Sequence, residues 1–588
     1  MKKIYLPLLG AAMSMSALAE TQESWALLQG PDGKTWSVNT VADLFNKGNE
    51  YYDDFVYNSL EVTLSDASHQ VKGTFTIDVN GLGANDVQVF GPVTSHLFNA
   101  DDDLELGVEI HVPGNYENGY QSKYYFRAYS LSGQQVMEAE GNGVIVADSQ
   151  NPTLIISSTV DDGTLYGQNQ LKFYQNDGNA LTLAKTISMG NELLEYMSGS
   201  VLNTVELSDG THYIISHYEK SLALTNEYGE PIYDPSTWMP MWTPDNNFII
   251  ENYNQNLEKV DEVKVSTQNP EGIMIRMMGV GLLTEKNVTE GYFTGDGQYN
   301  YVIIFNDMNE YWMEEYAFEV YSQGNTHVGT LCQNVGGFWN HLTSIDGEED
   351  QWLFLQSDMM TGMEQLSLVE VPSLSQVAVI PSEIDGKLIS SNIDRFADAT
   401  GYKYVIGLNE PDTDADNNVI AQYGIYNQDF TVDRYVQFNM GPDAETFTPL
   451  LNNESLDPHL FYADDQREFI FLAKVKGQDG YLYNTLFIGN EEGEVLNTYS
   501  GDGTTKGDIF NVAILNYGTD QPELFISYYD LENDVYTNEF ISLPLSGTVG
   551  VKQITTSSAI QTYNLQGQRN ATSASGLFIA NGKVMFKK

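Results

Sequence analysis

Two stretches of the sequence combine residue types and spacing that have an evident chemical use. Asp412-Thr413-Asp414-Ala415-Asp416-Asn417-Asn418 sets oxygen-bearing side chains at alternate positions, and a loop of that pattern can curl round one Ca²⁺. The EF-hand version is excluded, because its sixth position would be Asn417 instead of Gly and its twelfth Tyr423 instead of a bidentate Glu. Asp412, Asp414 and Asp416 are therefore candidate calcium ligands, with a solvated hairpin tip as the other reading. The second stretch is Tyr233-Asp234-Pro235-Ser236-Thr237-Trp238-Met239-Pro240-Met241-Trp242-Thr243-Pro244. Connections are normally short and polar, so this concentration of Trp, Met and Pro needs a reason. Tyr233, Trp238 and Trp242 would offer flat faces to a sugar ring or a protein groove; the alternative is a loop folded into its own small core.

Other reactive residues form no motif. His212 and His217 are five apart, which on a strand points them to opposite faces, and no Gly-x-Ser-x-Gly elbow, phosphate-binding glycine loop or His-Glu-x-x-His segment occurs. Cys332 is the only cysteine, so no intramolecular disulfide forms and a core thiol is expected. With 81 acidic residues a glycosidase-like pair is possible anywhere, and abundance singles out none. No catalytic residue is assigned.

The elements that must hold these loops are strands. Between residues 50 and 550 helical spacing is scarce, whereas short β-branched and aromatic runs alternate with Gly, Asn and Asp. One pattern recurs, an acidic or glycine-bearing turn leading into an apolar strand: Leu104 to Val108, Tyr213 to Ile215, Tyr299 to Ile304, Trp352 to Leu355, Tyr404 to Ile406, Phe469 to Leu472 and Leu524 to Ile526, with Thr153 to Ile156 a copy without its acidic turn. A second element follows each, an aromatic or aliphatic pair entering a polar turn, as in Tyr129 to Gly133, Tyr253 to Asn256, Tyr321 to Asn325, Tyr426 to Asp429 and Ile488 to Gly493. About eight such pairs, most roughly 45 to 65 residues apart, match the period of four-stranded propeller blades. The expected fold is all-β, a seven- or eight-bladed β-propeller over residues 96–549, with residues 20–95 an N-terminal β segment that is a candidate to complete the closing blade. A β-solenoid or a string of sandwiches is the alternative. The acidic turns resemble those of integrin-α-type propeller repeats, which implies calcium-stabilised loops.

The two ends of the chain read differently. Residues 1–19 follow the order of a secretory signal, with Lys2 and Lys3, then Ile4 to Ala12, then Ala17-Leu18-Ala19. From Gly550 onward there is no Asp or Glu, while Lys552, Arg569, Lys583, Lys587 and Lys588 are basic. Tyr563-Asn564-Leu565-Gln566-Gly567-Gln568-Arg569, then Gly576-Leu577-Phe578-Ile579 and a hairpin through Asn581-Gly582, resemble the C-terminal sorting domain of Bacteroidetes type IX secretion cargo. That resemblance implies that residues 550–588 engage the secretion machinery and that the protein is secreted or displayed on the outer membrane, a periplasmic location being the other possibility.

A formal net charge of −54 repels nucleic acid phosphates and anionic lipid surfaces, and no window approaches a membrane span. The functional expectation is an exported propeller that binds a glycan or protein ligand, with Ca²⁺ the candidate stabilising ion. Two alternatives stay open: a polysaccharide-active hydrolase or lyase on the same scaffold, and a structural envelope protein.

Overall fold

The computed structural model describes residues 21–46, 55–95, 97–98, 103–114, 122–146, 152–160, 168–176, 181–188, 202–219, 224, 226, 232–233, 235, 241, 246–266, 277–280, 288–308, 314–336, 342–345, 351–358, 363–370, 374–381, 383–384, 387–398, 401–408, 411–429, 431–450, 456–462, 466–477, 480–501, 507–530, 535–545, 576–580 and 583–587. Every regular element among them is a strand, and every strand pair is antiparallel between near neighbours in the chain. The signal-like residues 1–19 and the segment 550–575 lie outside the described residues. No described helix is long and apolar enough to cross a membrane.

The chain divides into two compact units, one over 1–143 with 556–588, the other over 144–555. The first contains two four-stranded sheets, Thr21–Gln29, Thr35–Asn46, Phe55–Ser65 and Val71–Asp78, then Asp86–Ser95, Leu104–Val112, Lys123–Ser130 and Gln135–Glu140. Both contribute to one core, in which Val38, Val62 and Ile77 of the first meet Val87, Val108 and Ile110 of the second. Residues 96–143, expected to open the propeller, thus share their core with 21–95. The C-terminal strands Gly576–Ala580 and Lys583–Lys587 pair as a hairpin with two residues between them, as the Asn581-Gly582 pair predicts.

Among the described residues of the second unit seven sheets follow, counting as two the nine-stranded sheet that one residue pair joins. The first is Asn142–Val146, Thr153–Val160, Gln168–Asn176 and Leu181–Ser188; the second is Leu202–Leu207, Gly210–Tyr218, Asn247–Tyr253 and Lys259–Ser266. The third begins with two short pieces, Met277–Val280 and Val288–Glu290, both paired to Tyr299–Met308, and ends with Glu314–Ser322 and Thr326–Gly336. The single pair Gly336 with Ser357 connects it to the fourth, Leu342–Ile345, Gln351–Asp358, Met363–Glu370 and Ser375–Pro381. The fifth is Lys387–Asp398, Gly401–Leu408 continued by Asp412–Thr413, Val419–Tyr426 and Val432–Gly441, with the short Glu383–Ile384 beside its first strand. The sixth is Thr448–Pro449, Glu468–Lys476, Leu482–Asn490 and Val495–Ser500, and the seventh has three described strands, Asp508–Leu515, Glu523–Asp530 and Val535–Ser542.

Neighbouring sheets stack face to face. On the second strand of the second sheet, Tyr213 and Ile215 pack with Ile155 and Phe173 of the first sheet, while Ile214 between them packs with Tyr301 and Ile303 of the third. The sixth sheet repeats this: Phe469 and Phe471 meet Tyr423 and Phe438 of the fifth, and Ile470 meets Leu524 and Ile526 of the seventh. A strand buried on both faces has no solvent side, so its sequence is a continuous apolar run without alternation. That is the physical origin of the apolar runs whose side chains are described, and all eight runs fall on the second strand of a sheet.

Candidate functional site

In an up-and-down sheet the connections from strand one to two and from three to four lie at one end, and that from two to three lies at the other. The recurring turns occupy the first end. Asn254 and Asn490 show how they are built. In each, the side-chain Oδ1 accepts the backbone N–H groups two and four residues on, at 3.0 and 3.0 Å for Asn254 and at 3.1 and 2.9 Å for Asn490. The fourth residue of each turn, Leu257 or Gly493, takes positive φ, which completes a tight three-residue hairpin.

This end also holds a buried polar chain across the second and third sheets. Asp209 Oδ1 lies 2.8 Å from His212 Nε2, His212 Nδ1 lies 2.7 Å from Asn252 Oδ1, Asn252 Nδ2 donates to the Tyr301 hydroxyl at 3.0 Å, and Tyr301 donates to Asp261 at 2.9 Å. His212 is fully buried and spent on this network, while His217 turns to the Tyr218 carbonyl. Thr153, Asn300, Lys403, Glu468 and Glu523, each immediately before an apolar run, are buried as well. Glu105 and Asn300 use the position alike, each accepting the backbone N–H of a phenylalanine seven residues earlier, Phe98 and Phe293. Sequence reasoning missed this position; Phe461 and Glu468 repeat the spacing and supply the signal.

The opposite end carries the candidate binding loops. In the second sheet the connection spans residues 219–246. Leu224 N donates to the Met241 carbonyl, Met241 N to that of Ile232, and Ile232 N to that of Leu224, so three distant points of the loop are tied together. Tyr233 is 53% and Met241 42% exposed there. Trp238 and Trp242 lie outside the described residues, as do Trp312, Trp339 and the side chain of Trp352. Cys332 is on the fourth strand of the third sheet, where its side chain is likewise not described.

The Asp412–Asn418 segment turns from the second to the third strand of the fifth sheet, at this same end. Asp414 Oδ1 accepts the N–H groups of Asp416 and Asn418 at 2.9 and 2.8 Å, and its Oδ2 accepts Asn418 Nδ2 at 2.9 Å. The Asn418 amide, with those N–H groups, holds the Asp414 carboxyl below its ordinary pKa. Asp412 and Asp416 are exposed. Asp414 therefore organises the hairpin as Asn254 and Asn490 do, and a cation there would compete with three hydrogen bonds. Among the described residues no three His, Cys, Asp or Glu side chains gather at metal-binding distance. Asp414→Asn is expected to keep the melting temperature in EDTA and Asp414→Ala to lower it, a comparison that thermal melts of the two variants make directly.

Further along this end, aromatic residues that sequence reasoning did not single out are exposed. Tyr481, 71% exposed, immediately precedes the third strand of the sixth sheet, and Phe510, 56% exposed, is the third residue of the first strand of the seventh. The two sheets meet here, where Asn484 N donates to Asp508 Oδ1 at 2.6 Å and Asn484 Nδ2 to the Ile509 carbonyl at 2.9 Å. Burial raises the Asp508 carboxyl above its ordinary value, against the hydrogen bonds from the backbone N–H groups of Asn484 and Ile509.

No family model matches the sequence, and no curated protein matches it. Among solved structures the chain is similar to a eukaryotic initiation factor, at 8% identity over 76% of this chain and 85% of that one with a TM-score of 0.35. It is also similar to an acylaminoacyl peptidase of Pyrococcus horikoshii (8% identity, 75% and 58%, TM-score 0.28) and to the β-propeller domain of the Trilobed protease from Pyrococcus furiosus (9% identity, 70% and 97%, TM-score 0.25). The chain spans little more than half of that acylaminoacyl peptidase, and similarity at these scores transfers no activity to it.

Proposed function

We propose that the second unit is a closed seven-bladed β-propeller serving an exported binding protein, which takes a glycan or protein ligand at the end carrying the 219–246 loop. One observation supports closure. Leu154 and Ile156 point away from the second sheet and Phe525 and Phe540 away from the sixth, yet all four are buried. An open stack would leave the outer faces of its first and last sheets in water, whereas a ring packs them together. Ligand binding at the loop end draws on the tied 219–246 connection and its exposed Tyr233 and Met241, since a long apolar loop presented to solvent marks an interaction surface.

The export signal and the sorting role of residues 550–588 belong to this reading, as does calcium at Asp412, Asp414 and Asp416. In melts of the protein, millimolar Ca²⁺ but not Mg²⁺ is expected to raise the transition above its value in EDTA, because a ligand of the native state alone stabilises by mass action. Equal melts in all three would remove calcium from the reading. The binding role is tested by the double variant Trp238→Ala, Trp242→Ala in a screen of oligosaccharides and surface proteins. The expected result is a loss of at least tenfold in affinity at unchanged melting temperature; unchanged binding would overturn the assignment of that loop.

A further inference from the structure

At the loop end of the face on which Phe525 and Phe540 are buried, the seventh sheet carries a cluster that the 219–246 loop does not explain. Tyr529 and Tyr536 are paired across the second and third strands with ring centroids 4.7 Å apart. Phe510 joins them from the first strand, 5.7 Å from Tyr536 and 6.4 Å from Tyr529. The three rings form one aromatic group at the loop end, and Phe510 is its most exposed member. Two residues deeper on the same face, beside Tyr536, is Asn538. It is 2% exposed, and neither its Nδ2 nor its Oδ1 has a hydrogen-bond partner among the described residues. Leaving a buried donor and a buried acceptor unmade on one side chain is costly, and such groups in a native protein call for an explanation.

We propose that Phe510, Tyr529, Tyr536 and Asn538 form a binding site for an uncharged oligosaccharide, separate from the 219–246 loop. The apolar C–H face of a sugar ring stacks on exposed aromatic rings, and its neighbouring hydroxyls match an amide, one donating to Oδ1 while another accepts from Nδ2. Charge selects within the class. A net charge of −54, with Asp508 and Asp530 on the strands that carry the rings, opposes uronic acid or sulfated chains and leaves neutral ones.

The test is calorimetric titration of the full-length protein with xylohexaose, cellohexaose, mannohexaose and laminarihexaose, and with pentagalacturonate as the anionic counterpart. At least one neutral hexaose is expected to bind, and pentagalacturonate to bind at least tenfold more weakly. Phe510→Ala removes an exposed ring and is expected to weaken binding at least tenfold without shifting the melting temperature. Asn538→Leu substitutes an apolar side chain of similar size for the orphaned amide, so binding is expected to fall while the melting temperature holds or rises. Absence of binding by all four neutral sugars, stronger binding of pentagalacturonate, or full affinity in Phe510→Ala would each overturn the proposal. The Trp238→Ala, Trp242→Ala variant should retain this binding, so failure of the loop assignment and failure of this site give different results.

Discussion

Tyr423→Ala is expected to destabilise the second unit by about 4 kcal/mol, the scale of a large aromatic truncation in a core that cannot collapse. Tyr423 is fully buried on the third strand of the fifth sheet, with ring centroids of Phe447, Phe469, Phe438 and Phe471 between 5.0 and 6.2 Å away. Its hydroxyl donates to the Ile470 carbonyl of the sixth sheet at 3.0 Å, and burial pushes the phenol well above its ordinary pKa. Truncation removes the ring at the centre of the joint between the two sheets. Tyr423→Phe loses only the hydrogen bond and is expected to cost about 1 kcal/mol. Urea unfolding of the two variants checks both values, and equal costs would place the importance of the residue in its hydroxyl.

The second large effect concerns pH and the N-terminal unit. Glu109 faces away from the shared core on the second strand of its sheet, with Gln88 opposite and Asp86 two residues along on one neighbouring strand and Phe126 opposite on the other. Burial, and then the Asp86 carboxylate, push Glu109 up to about 7, against the backbone N–H of Gly143, which favours its charged form. Asp86 is itself raised by burial, against a hydrogen bond from Gln88 and the charge of His111. An acid whose folded-state pKa is raised stabilises fully below its unfolded value of 4.5 and loses that contribution as pH rises through the folded value. The N-terminal unit is therefore expected to weaken by about 2 kcal/mol between pH 4.5 and 8, after allowance for partial exposure. Glu109→Gln should match the parent at pH 4.5 and exceed it at pH 8. Hydrogen-exchange protection of Leu104–Val112 in the full-length protein measures this, and a variant that weakens in parallel with the parent would refute it.

From Leu104 onward the second strand of each sheet was legible in the sequence, and so was the turn after the third; in the N-terminal sheet neither was. The reason is local: a strand covered on both faces must be apolar throughout, and a tight hairpin needs a side chain that binds its own backbone together with a residue at positive φ. Asn254 with Leu257 and Asn490 with Gly493 satisfy those needs within five residues. The division of the chain near Gly143 was not legible. Leu104 to Val108 carries the same apolar run as the later repeats, and which sheet it packs against depends on residues far away in the chain. Phe510, Tyr529 and Tyr536 escaped notice for a similar reason. They lie on three strands, and only the register of the seventh sheet gathers them. Asp414 shows the reverse. Its spacing suggests a ligand, yet the same alternation of oxygen atoms lets a carboxylate reach its own backbone, and sequence does not separate the two.

Because each strand pairs only with near neighbours in the chain, hydrogen bonding in this protein needs almost no long loop closure. Sheets can form one after another as the polypeptide emerges from a ribosome or a translocation pore, each new one covering the bare face of its predecessor. The joint between the first and seventh sheets that the proposed ring requires cannot arise in that order, because Leu154 and Ile156 are separated from Phe525 and Phe540 by most of the second unit. In that proposed ring it is the last joint to form, and it waits for the arrival of the seventh sheet.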